Sequence, residues 1–311
     1  MEGSPLYAVA LSQMVGVWEA AGMEAFPRVT IVTVTFRSAD QIGAFLAAVP
    51  PGLPVVVVDN GGGDATPDSV RAQWPDALVL ESPDNPGFGA GCNRGIEQVS
   101  TEFALLLNPD ARLNAVALRE LLAQADLCPE TALFAPLILD EAGRPVRSWN
   151  VRQSRRRDLP RTRTAEPWPE GPFSADYASG ACLLLRMASG LRFDPAFFLF
   201  YEDDDVCARA GGVVVVPAAR MAHAGGQGSA PSAGMARLKA WHMAWSRLHF
   251  AERHGGGRKA ARRAALGRVL HHVGKALGHA ATLRWARAGT DLAGLAGTVA
   301  WLCGRPANRR P

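Results

Sequence analysis

The sequence predicts an α/β fold, a Rossmann-like, mostly parallel sheet flanked by helices and followed by a basic helical tail. Three observations carry this. Residues 28–36 (RVTIVTVTF) and 54–58 (PVVVV) are β-branched runs of the kind that form strands buried on both faces. Strand and helix patterns alternate from residue 28 to 110, which argues for parallel strands joined by helical crossovers. Two of the strands end in polar groups, Asp59-Asn60 and Asn108-Pro109-Asp110, at the sheet edge where such folds bind ligands.

Taken in order, residues 28–36 are the first buried strand. Residues 40–49 read as a short amphipathic helix with Asp40 as its N-cap. Residues 54–60 form the second strand, which gives way to the loop Gly61-Gly62-Gly63-Asp64. A helix at 66–73 and a third short strand at 78–80 follow. Asn85-Pro86-Gly87-Phe88-Gly89-Ala90-Gly91-Cys92-Asn93-Arg94-Gly95 is a glycine-rich loop opening a helix that runs to about Val99. Residues 102–107 give the fourth strand, 115–125 a helix and 133–139 another strand. The Arg- and Pro-rich stretch 144–172 has no clean period and reads as a long loop. Strand character returns at 179–186, just around Gly180, and at 212–216; His223 then opens a second glycine-rich loop. Residues 235–254 are helical, with Trp241, Trp245, Leu248 and His249 on related faces.

Composition narrows the function classes. With 311 residues, 48% apolar and 20% charged, the chain is globular and large enough for a sizeable core. Eleven of the Lys and Arg residues lie beyond residue 257 against a single acid, Asp291, so the tail carries +10 and the preceding residues −6. An acidic body with a basic tail predicts that the tail meets something anionic. Five cysteines, odd in number and without a C-x-x-C pair, point to neither disulfides nor zinc and favour a reducing, cytoplasmic compartment. The longest apolar window, 292–304, is 13 residues and glycine-rich, short of the ~20 that span a bilayer. Glu2 stands where a signal peptide would be basic, and Met23, just before the first strand, is the expected native start. The chain thus divides into an N-terminal extension (1–26), a catalytic domain (27–257) and a basic amphipathic tail (258–311).

The chemistry is expected to centre on Phe193-Asp194-Pro195-Ala196-Phe197-Phe198-Leu199-Phe200-Tyr201-Glu202-Asp203-Asp204-Asp205, where an apolar run ends in four adjacent acids. Adjacent carboxylates with apolar flanks repel one another and call for a cation or hydrogen-bond donors nearby. The alternative is a solvated acidic turn. Asp110, just past a buried strand, suits a hard divalent cation whose shell a substrate diphosphate completes, Mg2+ or Mn2+; its alternative role is N-cap of the next helix. The Gly87-Phe88-Gly89-Ala90-Gly91 loop invites a dinucleotide reading, but Cys92 occupies the place of a required small residue and the loop follows the third strand. Its N–H groups, at a helix start, would equally suit a phosphate or a sugar hydroxyl.

The ordered series 28–36, Asp59-Asn60, Asn85 to Gly95, Asn108-Pro109-Asp110, Ser179-Gly180-Ala181, Glu202-Asp203 and His223 resembles family 2 glycosyltransferases, and within them the rhamnosyltransferase-like branch, over about residues 28–255. The resemblance implies a GT-A fold, a nucleoside-diphosphate-sugar donor, a divalent cation and inversion at the anomeric carbon. It makes Asp59 the contact to a pyrimidine base, Asp110 the metal ligand with His223 as a second, and Asp203 the catalytic base. Thr35, Asn60, Gly87, Phe88, Gly89, Asn93, Asn108, Gly180 and Glu202 become candidate substrate contacts. Two departures, Phe36-Arg37-Ser38 in place of Tyr-Asn-Ser and Gly61-Gly62-Gly63 in place of the commoner Ala-Ser or Gly-Ser continuation, bear on donor identity.

The expected partners are the sugar donor, a glycan or polyprenol-linked acceptor, an anionic membrane surface on the inner face of the membrane and a second copy in a homodimer, with no nucleic acid. Apolar positions Leu266, Val269, Leu270, Val273 and Leu277 between basic residues fit a membrane or lipid-linked acceptor; the alternative is a solvated helical hairpin packed on the domain. A competing function class is a nucleotide-sugar-binding α/β protein without transfer, pyrophosphorylase-like or degenerate. A pyrophosphorylase would carry a Gly-rich, Lys-containing signature after its first strand, where Thr35-Phe36-Arg37-Ser38-Ala39-Asp40 stands instead.

Overall fold

The computed structural model describes residues 26–307 apart from 51, 62, 141, 152–168 and 224–231. The N-terminal extension with Met23, most of the 144–172 stretch and the loop after His223 lie outside the described residues.

The β-branched runs pair side by side as their pattern predicts. Strand β1 (Val29–Thr35) lies parallel to β2 (Val55–Asp59) and to β4 (Phe103–Leu107), and β3 (Leu78–Glu81) flanks β2, also parallel. Every residue of β1, β2 and β4 is buried, because helices cover both faces. Helices α1 (Ala39–Ala47), α2 (Thr66–Gln73) and α4 (Ala115–Leu127) belong to one side, where Ile31, Val55, Val57 and Leu105 meet Ile42, Phe45, Val70 and Leu118. Helix α3 (Phe88–Ile96) covers the other, where Val32, Val34, Val56 and Val58 meet Cys92 and Ile96. Alternate residues of one strand thus feed two cores, as period-2 geometry requires. Gly95 lets α3 approach: a Cβ there would lie 2.3 Å from Val32 Cγ1.

Beyond β4 the sheet continues β10 (Cys182–Arg186), β6 (Leu133–Leu139), β11 (Val213–His223) and β5 (Ala111–Leu113), with β8 (Phe173–Ala175) also on β11. Strand β10 runs antiparallel between β4 and β6. A separate ribbon joins β7 (Trp149–Asn150) to β9 (Tyr177–Ala178).

Three sequence expectations are corrected. Asp40 is not the N-cap of α1; Ser38 precedes the helix and Asp40 lies in its first turn, where the helix dipole favours a carboxylate. Asp110 is not the cap of α4; Asn114 fills that place, accepting the Ala117 N–H at 2.8 Å, and β5 intervenes. The strand at 212–216 does not stop there. It shifts register between Val216 and Arg220, around Pro217, and runs on to His223. A proline cannot donate to a ladder, and the bulge accommodates it.

The four acids begin α5 (Glu202–Arg209), a helix whose first turn consists of Glu202, Asp203, Asp204 and Asp205. The dipole explains why they tolerate one another there. The C-terminal quarter is α6 (Ala233–His254), α7 (Gly257–Ala281) and α8 (Trp285–Leu302), packed around Trp241, Trp245, Leu248, Ala261, Ala265, Ala293 and Trp301. The glycines of α8 permit close helix contact: a Cβ at Gly297 would meet the Trp241 carbonyl at 2.2 Å. Among the described residues no helix is long and apolar enough to cross a membrane.

Candidate active site

The extension of β11 has a chemical consequence. In the β11–β5 ladder His223 stands opposite Ala111, so its ring reaches the neighbouring Asp110, with Nε2 3.1 Å from Oδ1. The carboxylate is 9% and the imidazole 15% exposed. Burial pushes the Asp110 carboxyl up; the hydrogen bond and charge of His223, its own backbone N–H and Arg112 outweigh that and hold it below the ordinary carboxylate range. Asp110 is therefore ionised at neutral pH.

The pair opens into a cleft of about 320 Å³ beyond the carboxyl ends of the strands, where an α/β sheet is expected to bind ligands. Thr35, Asn60, Gly87, Phe88, Asn108, Phe198 and Lys239 are among the residues that line it. Two oxygens in its wall, Asn108 Oδ1 and Asn60 Oδ1, are buried without a hydrogen-bond partner among the described residues. Orphaned acceptors of this kind are costly unless a donor or cation meets them in the working state.

The other predicted contacts are distributed unevenly. Asp59 is 1% exposed, takes a 2.8 Å hydrogen bond from the Thr35 hydroxyl, and lies beneath the cleft wall. Asn93 is committed to Phe193, donating to its carbonyl and accepting its N–H, both at 2.8 Å. Gly89 packs on Phe193 and on Glu202, which is itself buried. The glycine loop offers fewer N–H groups than its composition promised, since Gly87 donates to Asn85 Oδ1 and Phe88 to the Phe198 carbonyl.

Gly87 is held in the left-handed region at φ 100°, and a Cβ there would sit 2.5 Å from the Phe198 oxygen. Gly87→Ala should therefore displace the Phe198 loop from the cleft, destabilising the fold by about 2–3 kcal/mol in urea titration and weakening donor binding measured by calorimetry. An alanine variant with wild-type stability and affinity would show that the loop does not depend on this contact.

Asp203 lies in the first turn of α5, half-buried. Its Oδ2 accepts the Tyr177 hydroxyl at 3.0 Å and the Gly180 N–H at 3.2 Å, while Oδ1 accepts the Asp204 N–H at 3.0 Å. A Cβ on Gly180 would lie 3.2 Å from Asp203 Cβ and 3.6 Å from the Phe88 ring. Gly180 thus lies against both Asp203 and Phe88, and Phe88 is a wall of the cleft that holds Asp110. Three donors fix the carboxylate's direction.

Sequence reasoning missed several parts of the site. Tyr177 carries no signal beyond its nearness to Gly180. Met235, Leu238 and Lys239 line the cleft from α6, a helix read only as core. The aromatic loop before α5 is shaped by α6 as well: Phe198 packs on His242, Leu199 accepts the Ser246 hydroxyl at 2.9 Å and Tyr201 packs on Phe250. Those contacts hold Phe200 and Tyr201 at φ 67° and 68°, a strained backbone that persists only under such support.

Comparison with known proteins places this geometry in context. The model of the family described as Glycosyl transferase family 2 matches residues 30–189. The N-acetylglucosaminyl-diphospho-decaprenol L-rhamnosyltransferase of Mycobacterium tuberculosis is 27% identical over 264 residues, covering 73% of this chain and 85% of its own. The low-salt glycan biosynthesis hexosyltransferase Agl10 of Haloferax volcanii is 26% identical, covering 58% of this chain and 61% of its own. Among solved structures, the mannosyltransferase PcManGT from Pyrobaculum calidifontis, in complex with GDP-Man and Mn2+, superposes with a TM-score of 0.51. That match has 16% identity and covers 96% of this chain and 95% of the other, a likeness of fold.

Proposed function

The chain belongs to glycosyl transferase family 2 and is a glycosyltransferase, and from that premise we propose that it moves a rhamnosyl group from a nucleoside-diphosphate donor to a hydroxyl of a polyprenol-linked glycan, with inversion at the anomeric carbon. The observation that carries the reading is the pairing of Asp110 with His223 in a cleft whose Phe88 wall lies against Gly180, which in turn donates to Asp203. The relative acting on a decaprenol-linked sugar, at 27% identity, supports the choice of sugar and acceptor.

A divalent cation fits the cleft on chemical grounds. Asp110 and His223 would hold it, and the unpartnered Asn108 oxygen lies in the same wall. Among the described residues no three His, Cys, Asp or Glu side chains form a ready-made site, so a diphosphate has to complete the shell, as Mg2+ and Mn2+ commonly require. When bound, such an ion supplies positive charge to the leaving diphosphate.

The protein's own groups do the rest. Asp203, aimed by Tyr177 and Gly180, accepts the proton of the acceptor hydroxyl as that oxygen bonds to the sugar carbon and the carbon–phosphate-oxygen bond breaks. The proton then passes to solvent. A single displacement of this kind inverts the carbon.

The decisive experiment incubates the protein with dTDP-, UDP- and GDP-sugars, Mg2+ or Mn2+ and a polyprenol-diphosphate acceptor, and scores released nucleoside diphosphate. A deoxythymidine or uridine rhamnose donor should turn over, and Asp110→Asn should lower release by about 100-fold or more, with loss of the response to added cation. Turnover by Asp110→Asn at the wild-type rate and cation dependence would remove Asp110 from this role.

A further inference from the structure

Helix α7 presents a face that nothing among the described residues covers. Leu266, Leu270, Val273 and Leu277 are 62%, 75%, 38% and 66% exposed, and their spacing of four, three and four places them in one row about 17 Å long. Toward the N-terminus the same row continues as Lys259, Arg262 and Arg263, all exposed. Past its other end, the turn into α8 exposes Leu283 and Trp285 beside Arg284 and Arg287. Helix α7 contains no acidic residue, and Asp291 on α8 is already engaged by His279 at 2.7 Å and Lys275 at 3.8 Å.

We propose that this face of the C-terminal hairpin lies on an anionic bilayer, with the leucine row seated among acyl chains and the flanking cations on lipid phosphates. The layout of apolar row, basic ends and an exposed tryptophan is that of an interfacial helix. The buried side of α7 is already used, since Ala261, Ala265 and Ala276 pack inward, so the exposed row is not left over from a misplaced core. Charge separates a membrane from a second copy. Pairing two such faces would bring Lys259, Arg262 and Arg263 against one another or against Arg284 and Arg287, with no carboxylate to offset them. A lipid surface rich in phosphate neutralises all of them at once. Docking here is independent of the sugar donor and of the residues of the cleft.

The test is flotation of the full chain with vesicles of phosphatidylcholine plus phosphatidylglycerol and with phosphatidylcholine alone. The protein should rise with the anionic vesicles and stay behind with the neutral ones. The double variants Leu270→Glu/Leu277→Glu and Arg262→Glu/Arg263→Glu should each cut the bound fraction about tenfold or more, given about fivefold per surface cation. Both should release nucleoside diphosphate in vesicle-free assays at the wild-type rate, which separates lost docking from lost folding. Failure of the wild type to float with anionic vesicles overturns the proposal. So does flotation of both variants to the same extent as the wild type, or a wild-type dimer in sedimentation that Leu270→Glu/Leu277→Glu splits.

Discussion

Asp203→Asn should lower the rate of sugar transfer by about 10²–10⁴-fold while leaving donor affinity within a fewfold of wild type. The asymmetry follows from where the carboxylate sits. It is held by Tyr177, Gly180 and Asp204, whereas Asp110 is held by His223, so the two carboxylates share no hydrogen-bond partner. Asparagine keeps the shape and one acceptor oxygen, so the structural loss is one hydrogen bond, about 1 kcal/mol. What it cannot do is take a proton from the acceptor hydroxyl, and a factor of 10²–10⁴ corresponds to about 3–5 kcal/mol of barrier. Donor titration by calorimetry and single-turnover transfer with the lipid-linked acceptor read the two effects separately. Transfer by the variant within tenfold of wild type would mean that the base is another group.

The parts of this site that could be read in advance are those where a polar residue directly follows a buried run. Asn108-Pro109-Asp110 after β4 and Asn60 after β2 are of this kind, and both reach the cleft. The acids at 202–205 stand out in the sequence as a candidate site but not as a helix, because a helix start is signalled by the dipole that accommodates them rather than by any period. The meeting of Asp110 with His223 depends on a three-residue strand, β5, and on a strand that passes through Pro217, pairing residues more than a hundred positions apart. Local patterns carry no such information. The glycine loop shows the opposite error: glycine for anion binding and glycine for close packing look alike in sequence. Here Gly89, Gly91 and Gly95 lie against Phe193, Asn60 and Val32.

The ion cluster behind α5 yields the largest expected change in stability. Asp205 is fully buried, with Arg209 Nε and His254 Nε2 each at 2.8 Å and Arg253 Nε at 3.6 Å. Arg253 also reaches Asp194 at 2.8 Å. His249, 3.6 Å away, the Ala196 N–H and Arg253 together hold the Asp194 carboxyl at about 2 against the upward push of burial. The cluster joins the helix that carries Asp203 to the end of α6, which also shapes the aromatic loop. Asp205→Asn removes the buried carboxylate on which the partly exposed Arg209, Arg253 and His254 converge, and with it two short charge-assisted hydrogen bonds, a loss of about 3 kcal/mol. In a chain of this size that corresponds to a melting point lower by roughly 6–10 °C. The ion-pair partners of Asp205, namely Arg209, Arg253 and His254, are not among the described residues that line the cleft. Donor affinity should therefore hold while transfer falls about tenfold, because α5 aims Asp203 less well. Urea unfolding of Asp205→Asn beside wild type decides the matter: a difference below about 1 kcal/mol would place the cluster among exposed ion pairs that contribute little. A loss of donor affinity as large as the loss of transfer would show that α5 organises the whole cleft and not the base alone.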